Sequence, residues 1–267
     1  HKLTKLYLKI KLVHQTYFLM SSDINAILQL EKEYVSSRII VAKEINGCDS
    51  TFIISSVLGH CIKNKNAVLI VSTHYPLSHY QNIGLKMNYN IQKAIDSGLI
   101  VFYNLGAEWT NIMLKKETCD LQHILTSIKE KFCILKKQFY TVNIILDGLS
   151  HLFDMQYTIK DVNIFSREVI SLIEDGKNSF VLFHVNVACE EDVTHTMANL
   201  LVHKAHIVLD VANLPSGWSA DVSGHLTIRY IGHKFEDEHK FIMDNKPSKY
   251  LFKLFDRGVK LFAPGTV

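Results

Sequence analysis

Two short stretches hold residue types at spacings that could do phosphate chemistry. The first, RIIVAKEINGCDST (Arg38 to Thr51), runs from five β-prone residues through a loop with one glycine into an amphipathic helical segment. A phosphate-binding loop, G-x-x-x-x-G-K-[ST], would sit there. Its glycines wrap backbone N–H groups around phosphates, its lysine neutralises them, and its hydroxyl holds Mg²⁺. With Thr51 at the hydroxyl position, Glu44 stands at the first glycine, Asp49 at the second and Ser50 at the lysine. Two carboxylates then lie where the β- and γ-phosphates belong, and like charges repel strongly in a partly dehydrated site. Only Thr51 meets its requirement. An ordinary strand-to-helix turn with Asp49 or Ser50 as N-cap accounts for the same residues and is the preferred reading.

The second stretch, VNIILDGLSHLF, places four apolar residues ahead of Asp147, as in the strand that orients Mg²⁺ in nucleotide hydrolases. Asp147 marks a fold position, since a metal ligand without a phosphate cradle has nothing to bind. Thr51 and Asp147 are therefore vestigial positions, and no catalytic, nucleotide-binding or metal residue is expected. No G-x-S-x-G elbow occurs, so Ser150 and His151 read as a turn and a helix start. G-x-G-x-x-G is absent as well, against a dinucleotide fold. The carboxylate clusters ACEEDV (188–193) and FEDEHK (235–240) read as solvated loop charges.

The elements that would position these residues alternate along the chain. RIIVA (38–42), AVLIVS (67–72), LIVFYN (99–104), VNIILD (142–147), SFVLFHV (179–185) and HIVLD (206–210) are short, continuously apolar and β-branched. Strands of that kind are buried on both faces of a parallel sheet. Between them, Ile54/Val57/Leu58/Cys61, Leu121/Ile124/Leu125/Ile128 and Val162/Phe165/Val169/Ile173 recur at helical spacing, each set on one face. Strand–helix–strand repeats predict a three-layer α/β sandwich. After Asp210 the rhythm changes: GHLTIRYI (224–231), HKFIM (239–243), YLFKLF (250–255) and VKLFA (259–263) predict antiparallel strands, preceded by the loop NLPSGWSADVSG (213–224).

Composition agrees with a globular α/β chain. Apolar residues make up 48% and charged residues 21% of 267, with only 4 prolines, which excludes a disordered or Pro-rich architecture. No apolar run is long enough to span a membrane. The net charge of +3 permits contact with a polyanion without requiring it. The 5 cysteines show no C-x-x-C pairing, so reduced thiols inside the cell are expected. Of the 14 histidines, His195, His203 and His206 stand nearest to a ligand set, but their spacing and the lack of a carboxylate favour ordinary histidines. Residues 1–19 are basic and apolar, yet Lys9 and Lys11 interrupt any signal-type core. Met20 is expected to be the start, with 1–19 an upstream extension and 20–267 a single domain.

Five segments, in order, resemble one family. VLIVSTHYPLSHYQNIGLKMNYNIQKAIDSGLIVFYNL (68–105), with Ser78, His79, Tyr80, Gly84, Lys86 and Met87, is similar to the segment after the second strand in the subunit-six family of the Elongator complex. RIIVAKEINGCDSTFIISSVLGHCIK resembles that family's opening strand and lysine-free loop, and NIILDGLSHL its Asp-ending fourth strand. VANLPSGWSADVSGHLTI and VKLFAPGTV resemble its late loop and its terminus. The resemblance implies a RecA-like fold without working nucleotide motifs and without a cofactor. It implies a hexameric ring with Elongator subunits four and five, two copies of each, which binds tRNA and attaches to the catalytic Elongator subcomplex. That complex modifies the wobble uridine, U34, at carbon 5, with the chemistry in another subunit. A cytoplasmic location is expected, with the nucleus as a second.

RecA-like subunits meet their neighbours on the face that would carry the nucleotide, so such contacts survive the loss of phosphate binding. Trp218, Phe252, Phe255 and Phe262 are candidates for them; the alternative is that phenylalanines at strand spacing face the sheet core. Lys63, Lys65, Arg229 and Lys234 are candidates for RNA contact. Two other functions compete: an active RecA-like ATPase with an unconventional loop, and an independent nucleic-acid-binding module with salt-dependent affinity.

Overall fold

The computed structural model describes residues 22–31, 36–115, 120–231 and 247–262. Lys234, the HKFIM segment, the FEDEHK cluster and residues 1–19 lie outside them. Among the described residues nine strands form one sheet in the order β3-β2-β4-β5-β1-β6-β7-β8-β9. They are β1 (Arg38–Ile45), β2 (Ala67–Ser72), β3 (Ile100–Asn104), β4 (Val142–Asp147), β5 (Phe180–Val187), β6 (Ile207–Ala212), β7 (Gly224–Tyr230), β8 (Ser248–Phe255) and β9 (Gly258–Phe262). The first six run parallel. The last three join by antiparallel pairing, as the change of rhythm after Asp210 predicts. The fold is α/β and consistent with a RecA-like sandwich.

Every residue of β2 and β4 is buried, so both faces of the sheet need helical cover. It comes from α1 (Ser22–Ile27), α2 (Thr51–Lys63), α3 (Leu77–Lys86), α4 (Ile91–Asp96), α5 (Leu105–Leu114), α6 (Leu121–Gln138), α7 (Ile159–Ser171) and α8 (Val193–Val202). Packing links α1 through α4 in one series and α6 through α8 in another, the two outer layers. The spaced apolar residues are all buried: Ile54, Val57, Leu58 and Cys61 in α2, and Leu121, Ile124, Leu125 and Ile128 in α6. A capping box starts α7, Thr158 and Asp161 each satisfying the other's backbone N–H.

Gly224 shows why the late loop ends in glycine. A Cβ there would stand 2.6 Å from the Ala212 carbonyl oxygen and 2.9 Å from the Phe252 ring. Phe252 is fully buried and packs on Phe52, with ring centroids 5.0 Å apart. It belongs to the core, which corrects its place among the interface candidates: its side of β8 faces α2.

Candidate functional site: a filled phosphate cradle

The carboxyl ends of parallel strands form the edge where ligands bind in open α/β sheets. Register gathers five of this chain's polar residues there. Asp147 of β4 lies beside Ser72 of β2 and His184 of β5, and Glu44 of β1 lies beside Asn186 of β5. The loop from Asn46 to Ser50 follows β1 and delivers Ser50 to the start of α2.

These side chains bond to one another. His184 Nδ1 is 2.7 Å from Asp147 Oδ1, and His184 Nε2 is 2.6 Å from Ser50 Oγ. Glu44 Oε2 accepts from both the Ser50 hydroxyl, at 2.9 Å, and the Ser50 backbone N–H, at 3.2 Å. Glu44 Oε1 accepts from Asn186 Nδ2 at 3.0 Å, while the Tyr80 hydroxyl donates to Asp147 Oδ2. Ser50, Asp147 and His184 are all buried. Glu44, which occupies the first-glycine position, thus turns inward and clamps the loop onto its own strand. Ser50 is the N-cap residue of α2 by position, but its hydroxyl is committed to Glu44 and caps no helix N–H. Asp49 does the local work instead, its Oδ1 accepting from the Thr51 backbone N–H at 2.9 Å.

Burial alone would lower the His184 pKa, but its hydrogen bond to Asp147 and its ion pairs with Asp147 and Glu44 outweigh that and raise it to about 9. Burial pushes Glu44 and Asp147 up, and the imidazolium with the hydroxyl donors overcomes it, holding both below the usual carboxylate range. The site is therefore two carboxylates around one imidazolium, a net negative charge where a triphosphate would bring more. Burial and the charges of Glu44 and Asp49 likewise raise the neighbouring Cys48 thiol to about 11.

Ser50, His184 and Asp147 stand in the order of a nucleophilic triad: hydroxyl, imidazole, carboxylate. The protonation states argue against that use. A protonated imidazole takes no proton from a serine, and the Ser50 proton already points to Glu44. The sequence offered one signal for this network, a histidine inside the otherwise apolar strand SFVLFHV.

Outside the cradle the edge carries a run of rings. His151 stacks on His74 at 4.6 Å, His74 meets Tyr75 edge-on at 4.1 Å, and Tyr75 stacks on His79 at 3.8 Å. Gly148 allows the approach: its φ is +82°, and a Cβ would lie 2.5 Å from Thr73 Oγ1. Ser150 and His151 occupy a turn and a short 3-10 helix, Leu149–Leu152, as the sequence suggests.

The remaining candidates separate. Trp218 stands 96% exposed on the loop after β6, and Phe255 is 45% exposed with the Lys253 ammonium over its ring. Phe262 is half-buried under Lys260. Lys63 and Lys65 are exposed at the far end of α2, on the opposite edge of the sheet. Arg229 donates to Asp210 Oδ2 at 2.9 Å while Lys43 binds the other oxygen at 2.7 Å, so one carboxylate faces two cations, and the Arg229 side chain stays 34% exposed. His206 Nδ1 accepts from the Ile39 backbone N–H, and no cluster able to hold a metal occurs among the described residues. Nor is any helix there long and apolar enough to cross a membrane.

Known proteins of the same pattern exist. The family model described as Elongation complex protein 6 matches residues 21–256. The chain is 26% identical over 259 residues to Elongator complex protein 6 of Drosophila melanogaster, covering 93% of this chain and 98% of that one. It is 23% identical to the Danio rerio protein of that name, covering 92% and 98%, and 23% identical to the Homo sapiens one, covering 81% and 87%. The matched span includes Glu44, Ser50, Asp147 and His184, hence the whole filled cradle, and the chain belongs to the Elongation complex protein 6 family.

Proposed function

We propose that the chain is a non-catalytic subunit of a heterohexameric RecA-like ring, two copies each with Elongator subunits four and five. The ring binds tRNA and supports carbon-5 modification of the wobble uridine by the catalytic subcomplex. The observation that carries the non-catalytic part is the Glu44–Ser50–His184–Asp147 network. It fills the phosphate position with the protein's own side chains, and its carboxylates oppose a nucleotide's charge. Family membership and the ring-lined carboxyl edge support the assembly. Trp218 on that same edge is the side chain best suited to a neighbour, since exposed tryptophans anchor interfaces.

The test is calorimetric titration of the isolated chain with Mg·ATP, beside a binding assay with subunits four and five. The reading expects no heat of binding at millimolar nucleotide and stable association with both partners. Saturable ATP binding that disappears in Thr51→Ala or Asp147→Ala would instead establish an ATPase-type site.

A further inference from the structure

The opposite edge of the sheet carries a second site. A cleft of about 970 Å³ opens at the amino ends of the strands, between the loop after α2, the segment from Met87 to Asn90, and the starts of β1 and β5. Six of its lining residues are asparagines, and Arg38, His60 and Lys63 add positive or donor character against the single carboxylate of Glu31. Asn25 is 9% exposed, and its Oδ1 faces no hydrogen-bond partner. A buried amide oxygen left unpaired is costly unless a donor arrives.

The flanks are cationic. Lys63 and Lys65 end α2, while Lys136 and Lys137 end α6 in the other helical layer, and all four are exposed. None of the four takes part in an ion pair among the described residues. The chain beyond each helix end leads into neighbouring strands at the sheet edge, where the Ala67 backbone N–H donates to Thr141 O at 3.2 Å. Tyr140, next to Thr141, is 74% exposed. Lysines in a last helical turn balance the helix dipole, and that accounts for Lys63, Lys136 and Lys137. It does not account for Lys65, which lies beyond the helix with φ +56°, or for an exposed aromatic ring between the two pairs.

We propose that this edge binds a single-stranded segment of RNA: Lys63, Lys65, Lys136 and Lys137 hold backbone phosphates, Tyr140 stacks on an unpaired base, and Asn25 accepts a hydrogen bond from a nucleotide seated in the cleft. Free lysines for phosphates, an aromatic face for a base and amides for base edges or 2′-hydroxyls are the groups single-stranded RNA requires. The assignment rests on the reading of this chain as part of a tRNA-binding ring and names the surface it contributes.

The experiment measures tRNA affinity of the co-expressed ring across a salt series, with native mass confirming its assembly. Lys63→Glu/Lys65→Glu/Lys136→Glu/Lys137→Glu should weaken binding by about tenfold or more and reduce the slope of log K against log salt by about 2 to 3. Tyr140→Ala, a surface change, should weaken binding without changing that slope. Lys160→Glu, on an exposed side chain at the start of α7, should do neither. Unchanged affinity in an intact ring bearing the four reversals overturns the site while leaving the ring reading in place. An intact wild-type ring that binds no tRNA overturns both. Displacement of tRNA by millimolar nucleoside monophosphate only in rings with an intact cleft supports a seated nucleotide; capture of the monophosphate without RNA overturns the RNA assignment.

Discussion

His184 holds Asp147 through a 2.7 Å bond from Nδ1 to Oδ1, and the pair sits on adjacent parallel strands directly opposite in register. The imidazole reaches Ser50 with its other nitrogen, so one side chain ties β4, β5 and the loop after β1 together. At the carboxyl edge of its sheet this chain keeps a hydrogen-bonded ion cluster.

That cluster makes stability depend on pH in a defined direction. His184 has a folded pKa raised to about 9 from an unfolded value of about 6.5, so its contribution is complete below pH ~6.5 and fades as pH rises through 9. Glu44 and Asp147 are depressed, so theirs is present above their unfolded values near pH ~4 and is lost as pH falls through the folded ones. Melting midpoints should therefore decline from pH 6.5 to 9 more steeply in the native chain than in His184→Gln. Parallel curves would show that His184 is not held as an imidazolium.

Removing the cation alone leaves the buried Asp147 carboxylate and the half-buried Glu44 carboxylate without their shared counter-charge. His184→Leu should cost about 3–5 kcal/mol in denaturant unfolding, as for other buried pairs broken on one side. The triple variant Glu44→Gln/His184→Leu/Asp147→Asn should recover part of that loss, because the uncompensated charges are gone. A triple variant less stable than His184→Leu would mean the carboxylates stabilise the loop without the imidazole.

Gly148→Ala tests the stitching of the carboxyl edge. At φ +82°, with Thr73 Oγ1 2.5 Å from the added carbon, the loss should be about 1–3 kcal/mol by thermal unfolding. Gly47→Ala has a similar φ of +68° but nothing within 4 Å, so it should lose less.

Trp218→Ala separates interface from core. With 96% of its surface exposed, its removal should shift the stability of the isolated chain by no more than about 0.5 kcal/mol. If it anchors a neighbour, association with subunits four and five should weaken by more than about 1 kcal/mol, readable by titration. Phe252→Ala should do the reverse, unfolding the chain by about 3–5 kcal/mol because the ring is core.

The strands were legible because a parallel sheet demands continuous apolar runs: AVLIVS and VNIILD are β2 and β4 to the residue. The helices named from spacing are those with one clear apolar face. By contrast, α3 to α5 mix polar and aromatic positions and gave no such period. The departure of Glu44, Asp49 and Ser50 from the phosphate-loop pattern could also be read directly. What replaced it could not. Glu44, Ser50, Asp147 and His184 are spread over 140 residues of sequence, and strand order alone brings them together. The second role of Ser50 was hidden for that reason, since its partner His184 lies 134 residues away. Phe252 could be weighed only as an interface ring against a core ring, because a strand's spacing does not tell which face is covered.

The most direct measurement is native mass spectrometry of the chain co-expressed with Elongator subunits four and five, without added nucleotide. The account predicts a single assembly with two copies of each subunit, stable in the absence of ATP because the cradle is already filled. A chain that stays monomeric beside its partners, or a ring that forms only when nucleotide is supplied, would contradict it.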